Sequence, residues 1–249
     1  MSPFLIILVV LLGGALVALV VWAAIEAEKR RRQRIADMLA FAQSLGLSFN
    51  PGRDPDHDDK YAHFELFRRG FDRAAYNTIF GQLEIDDAVV ELNAGDFTYK
   101  TRETYTTTVN GKTQTRTRIV THHFSYFIME LPYIRMPDLL IRREGFFDKV
   151  ASAFGKNDID YESAEFSRKY YVKCESRKFA YDIIHPRMIE FLLATSPGLI
   201  DIENGRICLT DGSSVWKAPR FAGALDWTKQ FLDLWPDFVV KDLSEGRAL

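Results

Sequence analysis

The pattern of hydrophobic and polar positions separates a long apolar stretch at the start of the chain from a larger region of mixed pattern. From Phe4 to Ile25, 22 residues carry no charge, and fifteen of them are Leu, Ile, Val or Phe. At about 1.5 Å rise per residue, a helix of this length spans roughly 33 Å, more than a hydrocarbon core of about 30 Å. The pattern therefore predicts a transmembrane anchor over residues 1–25.

A cluster of basic residues directly follows this stretch and predicts its orientation. A cleaved signal peptide is the alternative. Its apolar region is typically about 7 to 15 residues long and follows basic residues, whereas the stretch here has 22 uncharged residues and its basic cluster comes after it. Because cytoplasmic flanks carry an excess of Lys and Arg, we expect the C-terminal side to be cytoplasmic. The same side chains are candidates for contact with anionic lipid headgroups. The cluster comprises Lys29, Arg30, Arg31, Arg32 and Arg34.

Beyond the cluster, apolar residues recur at helical spacing, and Gly46 stands where a C-terminal cap would lie. We expect a juxtamembrane helix over residues 26–46 that packs on its own domain or on a partner. A single soluble α+β domain over residues 47–249 is expected to follow. The residues of the apolar stripe are Ile35, Met38, Leu39, Ala42 and Leu45.

The clearest local signal is Asn110-Gly111, because both positions of a two-residue hairpin turn need positive φ angles. A turn at this point fixes the register of the two flanking strands. On one face Tyr105 then meets Arg116 as a cation–π pair, and Glu103 meets Arg118 as a charge pair. The other face carries a threonine ladder, with Thr104 opposite Thr117, Thr106 opposite Thr115 and Thr108 opposite Thr113.

The two ends of this hairpin differ in polarity. Both faces are polar towards the turn, which predicts a ribbon that projects from the body of the domain. The base, FSYFIMEL, is apolar on both faces and predicts a covered central strand. The projecting part is either a solvated hairpin or an arm that contacts a partner. As a candidate interaction ribbon it comprises Thr104, Tyr105, Thr106, Thr108, Thr113, Thr115, Arg116 and Thr117.

The rest of the chain alternates short strands with helical segments. GFFDKVASAFG predicts a helix, DIDYESAEFSRKYYVKCES a turn and a strand, and Asn204-Gly205 a second hairpin. Helical pieces are predicted after Ser176 and at Pro186, and Pro219 opens a helix that ends before Pro236. The expected fold class is α+β: an N-terminal transmembrane helix, then a mixed, largely antiparallel sheet domain with packing helices.

Composition and charge narrow the functional classes. The formal net charge is −2, so the charge balance provides no basis for nucleic-acid binding. The two cysteines, Cys174 and Cys208, form no CxxC motif and fall in predicted strands. We therefore expect buried thiols in a reducing compartment.

The sequence contains no GxSxG, HExxH, Walker A or dinucleotide-binding GxGxxG pattern. His122 and His123 are adjacent in a predicted strand, so their side chains point to opposite faces and cannot share a metal ion. His185 precedes a proline and is expected to help fix the start of a helix. No cofactor or metal site is predicted.

Two acidic segments offer oxygen ligands but no complete ligand set. NPGRDPDHDDK, which contains His57, lacks EF-hand spacing and is expected to be a solvated loop. Asp158, Asp160 and Glu162 alternate as strand residues do and would lie on one face. Solvent-facing carboxylates are expected there, and cation binding is the alternative.

The order of segments resembles a family of uncharacterised bacterial single-span membrane proteins whose soluble region is a domain of unknown function. The resemblance covers about residues 64–238, and AGDFTYK stands where such proteins have an FDY-like strand, a departure from the pattern. It implies an N-terminal span and an α+β domain, and it implies no catalytic residues. The matching stretches are FELFRRGFDRAAYNTIFGQLEI, the Thr-rich hairpin leading to MELPYIRMPDLLIRREGFFDKVASAFG, and DIDYESAEFSRKYYVKCES.

These features favour a membrane-anchored interaction or regulatory domain that faces the cytoplasm and has no enzymatic activity. The bilayer is the expected partner through the span, and a protein partner or a second copy of the chain is a further expectation. One alternative is a membrane-tethered enzyme that uses His185, Cys174 or the carboxylates from Asp158 to Glu162. The other alternative is a sensor of anionic lipid surfaces.

Overall fold

The chain begins with one long helix. A computed structural model describes residues 3–85, 88–109, 112–133, 136–145 and 159–247. The first helix, α1, is Pro3–Ser44 and runs without a break from the apolar stretch through the basic cluster. From Leu11 onwards it is long and apolar enough to cross a membrane, because it contains an 18-residue window with a mean hydropathy of 1.8. The predicted anchor and the predicted juxtamembrane helix are therefore parts of one continuous helix.

Eight strands form a single sheet in the order β1-β2-β3-β4-β8-β7-β5-β6. All described neighbours pair antiparallel, so the α+β class is confirmed, and the sheet is antiparallel rather than mixed. The strands are β1 Ser48–Asp54, β2 Phe71–Ile85, β3 Ala88–Val109, β4 Lys112–Glu130, β5 Leu139–Arg143, β6 Tyr170–Cys174, β7 Leu199–Glu203 and β8 Arg206–Thr210.

Short helices connect the strands and cover the sheet. They are α2 His57–Lys60, a 3-10 turn at Glu65–Arg68, α3 Ala164–Lys169, α4 Arg177–Ile183, α5 Pro186–Thr195, α6 Ala218–Asp233 and α7 Asp237–Ser244. Pro236 separates α6 from α7, in line with the predicted stop. The helix predicted for GFFDKVASAFG lies almost wholly outside the described residues.

Each face of the sheet has its own hydrophobic core. Successive strand residues point to opposite faces, so Phe127 of β4 enters one core and Tyr126 enters the other. The larger core lies under α1 and α3–α7 and includes Met38 and Ala42 of α1. The smaller core lies under α2 and the 3-10 turn. The base of β4 is thus covered on both faces, as predicted.

Two local sequence predictions have different outcomes. The second hairpin is confirmed, because Asn204 and Gly205 have φ angles of 52° and 71° between β7 and β8. The strand prediction for Asp160 and Glu162 is wrong. Both are exposed in an irregular segment, because the Ser163 hydroxyl accepts a hydrogen bond from Phe166 N and starts α3.

Candidate interaction surface: the helix junction and the ribbon

An ion pair joins α1 to the centre of the sheet. Arg34 donates from Nε to Asp96 Oδ2 at 2.8 Å and from Nη2 to Asp96 Oδ1 at 2.5 Å. A third donor, Nη1, reaches the backbone carbonyl of Trp216 at 2.5 Å. The Asp96 side chain is fully buried, so its charge depends on this planar, two-bonded partner.

Neutral groups complete the shell around the Asp96 carboxylate. Asn77 donates from Nδ2 at 3.0 Å and Ser125 from its hydroxyl at 2.6 Å. The Ser125 hydroxyl in turn accepts the backbone N–H of Trp216 at 2.8 Å. A bulge in β2 presents Asn77, whose φ is 49°, to this site. The network therefore ties α1, β2, β3, β4 and the segment before α6 together.

The junction also sets the direction in which α1 leaves the sheet. Just beyond the C-terminal end of α1, Leu47 lies against Gly81, which pairs with Leu92 of β3. Thirteen positions earlier, Arg34 lies against Asp96, further along the same strand. The direction from Leu47 back along α1 to the apolar segment is therefore also the direction along β3 to the hairpin turn. The apolar segment and the ribbon leave from the same end of the sheet.

The ribbon itself has the predicted register. Pairing with β2 ends at Lys100, and pairing of β4 with β8 ends at Tyr126. Beyond these points, Thr101–Val109 and Lys112–Val120 pair only with each other among the described strands. The three threonine pairs and the two pairs on the opposite face have the predicted register, but the cation–π contact predicted between Tyr105 and Arg116 is not the one observed. The turn at 110–111 lies outside the described residues.

Most of the described side chains on the ribbon are exposed, and most are polar. Arg118 donates to Glu103 at 2.9 Å and lies over the Tyr105 ring at 5.7 Å. The cation over this ring is thus Arg118, the diagonal neighbour of Tyr105, whereas Arg116 bonds Gln114 at 3.4 Å. Between Thr101 and Val120 the sequence has four basic residues and one acidic residue, a net formal charge of +3.

The basic cluster of α1 divides into two kinds of residue. Arg30 pairs with Glu26 at 3.3 Å, and both Arg31 and Arg32 pair with Glu28, at 3.6 and 2.8 Å. These are exposed pairs on one helix, which leave the side chains at the surface. Arg34, in contrast, turns into the domain. A purely lipid-facing role for the cluster therefore remains a prediction for the residues before Arg34.

His57 occupies a position that the sequence did not indicate. It is 1% exposed and packs against Tyr61, Phe67 and Tyr126 at ring distances of 4.7, 4.8 and 4.7 Å. Burial lowers its pKa to about 3, helped by the charge of Lys60. Asp58 is also buried, so the solvated-loop prediction is wrong for both residues. The signal that could have indicated burial is the spacing of aromatic residues just after the acidic run.

A polar cleft of about 330 Å³ lies on the face of β5–β7 beside the smaller core. Burial raises the pKa of Asp138, Asp201 and Glu203, and neighbouring carboxylates add to the effect. Cys174 also lines this cleft, and burial raises its thiol pKa to about 11. A thiol with so high a pKa is a weak nucleophile at neutral pH, so the carboxyl groups dominate the chemistry of the cleft.

The other residues singled out from the sequence have structural contacts. His122 bonds Thr101 at 2.8 Å and His123 bonds Tyr76 at 3.2 Å, on opposite faces as expected. His185 caps α5, accepting from Met188 N at 3.4 Å and contacting the Leu234 carbonyl from Nε2 at 2.9 Å. Cys208 is buried. Within the described ranges, no group of three or more His, Cys, Asp or Glu side chains is placed to hold a metal ion.

The fold is thus an antiparallel α+β domain joined to an apolar N-terminal helix. No protein-family model matches the chain, and comparison with curated proteins gives no match. Among solved structures, the chain is similar to the crystal structure of the mycobacterial trehalose monomycolate transport factor A, TtfA. The TM-score is 0.48 and the sequence identity is 12%, over 82% of this chain and 97% of that chain. At this level the similarity supports no inference about function.

Proposed function

We propose that this protein is a single-span membrane anchor with a cytoplasmic, non-enzymatic interaction domain whose contact arm is the ribbon. The Arg34–Asp96 pair carries the proposal, because it joins the helix of the apolar segment to the strand that extends into the ribbon. The ribbon is therefore held at a fixed place relative to the anchor, rather than at the end of a loose linker. Such rigid presentation favours binding, since little ordering is required.

The orientation rests on the basic cluster. Lys29 to Arg32 stand at the end of the apolar segment, where an excess of positive charge retains a flank in the cytoplasm. A phosphatase and a fluorescent protein fused separately after Leu249 test this. We expect fluorescence and no phosphatase activity. Phosphatase activity from the fusion would overturn the cytoplasmic assignment.

The interaction role is tested in native membranes with the full chain. A photo-crosslinking amino acid replaces Thr106 on the ribbon or Val89 at the opposite end of β3. Val89 is 64% exposed, so it reports contacts of a surface that the proposal does not involve. We expect specific crosslinks, to protein or to lipid, from position 106 alone. Equal products from both positions, or none from position 106, would contradict the role of the ribbon.

A membrane-tethered enzyme is the second candidate, and one observation favours it. Three carboxyl groups with raised pKa values converge in the cleft of β5–β7, an arrangement suited to general acid catalysis. His185, Asp160 and Glu162 do not line this cleft. If Asp201→Asn abolishes a membrane phenotype that ribbon variants leave unchanged, the enzyme hypothesis replaces the interaction hypothesis.

A further inference from the structure

The ribbon is long compared with the part of α1 that links the domain to the apolar segment. Between Arg34 and Ile25 the helix rises about 14 Å at about 1.5 Å per residue. From Asp96 to Val109, β3 extends about 43 Å at about 3.3 Å per residue. Both distances start at one ion pair and run from the same end of the sheet. At any inclination to the helix axis up to roughly 70°, the outer ribbon reaches the level of the bilayer surface.

The chemistry of the ribbon suits a headgroup layer and not the hydrocarbon interior. Its outer strand edges carry backbone groups without a strand partner in the described part of the chain, and these need water or headgroups as partners. Threonine hydroxyls cover one face. Tyr105 and Ile119 are 42% and 61% exposed and can enter the interfacial region. The ribbon should therefore lie along the surface, at an inclination near the upper end of this range, because a smaller inclination would carry its polar edges into the hydrocarbon.

Charge selects the kind of surface. The ribbon has a formal charge of +3 within a chain of −2, so positive charge is concentrated at the end of the domain that faces the anchor. Its single acidic residue, Glu103, is already paired with Arg118. Lys100, at the ribbon base, shares the Asp72 carboxylate with Arg53 and is not counted in this charge. The remaining basic side chains complement anionic phospholipid headgroups.

From these observations we infer that the ribbon docks on the anionic surface of the same bilayer that α1 enters. The inference rests on the proposed function and names its partner as lipid. Docking gives the domain two attachments, the span and the ribbon. Because the span already holds the ribbon at the surface, the second contact is intramolecular, and a few basic residues suffice.

The test uses the full chain in lipid nanodiscs, with one spin label on Thr106→Cys or, as the control, on Val89→Cys. Burial raises the pKa of Cys174 to about 11 and that of Cys208 well above its usual value, so the introduced exposed thiol reacts first at neutral pH. Nickel chelated to lipid headgroups relaxes labels that lie near the surface. In anionic discs we expect relaxation at position 106 several-fold greater than at position 89.

Salt and charge variants then separate docking from mere proximity. We expect the relaxation at position 106 to fall in neutral discs and at about 0.5 M salt, where screening lengths are only a few ångströms. Lys112→Gln with Arg116→Gln should lower the docked population by at least about tenfold, since each basic residue near the surface contributes about fivefold. Lys178→Gln with Arg187→Gln, two exposed basic residues of α4 and α5, is the matched control and should change nothing.

Three outcomes would overturn the inference: equal relaxation at both labels, no difference between anionic and neutral discs, or an effect of the control pair as large as that of the ribbon pair. If position 106 crosslinks a protein in native membranes and shows no approach to lipid, the inference is wrong while the proposed function stands. If the phosphatase fusion is active, the proposed orientation fails, whatever the nanodiscs show.

Discussion

Arg34 and Asp96 lie 62 positions apart and form a two-bonded ion pair in which the carboxylate is fully buried and the Arg34 side chain is 21% exposed. A buried carboxylate that keeps its hydrogen bonds but loses its cation is strongly unfavourable. The pair therefore helps to determine whether the part of α1 from Arg34 to Ser44 stays packed on the sheet. It also determines where the ribbon stands relative to the apolar segment of α1.

We expect Arg34→Met to lower the free energy of unfolding by about 3 to 5 kcal/mol, because it leaves Asp96 charged and buried without its partner. The double variant Arg34→Met with Asp96→Asn should recover much of this loss, since the unpaired charge is gone. Equilibrium unfolding of the full chain in detergent, followed by tryptophan fluorescence, measures both values. Trp216 contacts Arg34 directly and reports the junction.

Arg32→Met is the matched control for the junction. Arg32 lies two positions away and pairs with Glu28 in solvent, with 79% of its side chain exposed. Exposed pairs of this kind contribute about 0 to 1 kcal/mol. A loss for Arg32→Met equal to that for Arg34→Met would mean that the junction does not hold α1.

His57 should make the domain sensitive to acid. Its folded pKa of about 3 lies below the ordinary value of 6.5, so the folded state binds fewer protons than the unfolded state between these values. The contribution of neutral His57 to the free energy of unfolding is therefore fully present above about pH 6.5. It is lost as the pH falls towards 3, by up to roughly 5 kcal/mol.

The variant His57→Phe isolates this contribution. The imidazole Nε2 has no hydrogen-bond partner among the described residues, and the surrounding rings suit an aromatic side chain of similar size. We expect little change at pH 7 and a clear gain relative to the parent at pH 4.5. Parallel stability curves for the two proteins from pH 4 to 7 would show that His57 does not titrate in this way.

Asp201 should have the opposite pH dependence. Burial raises its pKa well above the ordinary 3.8, so the folded state retains the proton more strongly than the unfolded state. The free energy of unfolding therefore falls as the pH rises from about 3.8 to the pKa of the folded state. Asp201→Asn should stabilise the domain at pH 8 and have little effect near pH 4. Asp226→Asn, at an exposed position of α6, is the control, and a pH-dependent gain of the same size there would contradict the assignment to the cleft.

Gly70 is expected to tolerate no side chain. Its φ is +60°, and an added Cβ would lie 2.1 Å from the Lys100 carbonyl oxygen, at the point where β2 starts to pair with β3. Gly205 has a similar φ of +71° but open space around it. Gly205→Ala should cost about 1 to 2 kcal/mol from backbone strain alone, and Gly70→Ala several kcal/mol from strain and collision together. Thermal unfolding of each full-length variant measures the two losses. Equal decreases in the unfolding temperature would mean that the Lys100 carbonyl does not crowd position 70.

The ribbon register and the second hairpin were predictable because a tight turn fixes every pair beyond it, whatever the rest of the fold does. Asn204-Gly205 and the Thr-rich strands needed only local rules. The irregular segment at Asp160 was not predicted, because a serine cap three residues later outweighed the alternation of charges. Residues close in sequence therefore determine both hairpins and the start of α3. The strand prediction at Asp160 was wrong because it did not take the Ser163 cap into account.

By itself, the sequence determined the apolar helix, the polar projecting hairpin and the α+β class, because each depends on residues near one another in the chain. Only the tertiary structure decided that Arg34 belongs to the domain and that His57 is buried. Their partners come from strands far along the chain, where burial and charge pairing depend on the packing of the whole sheet. The shared direction of the apolar segment and the ribbon has the same origin, since it follows from how α1 packs against the sheet.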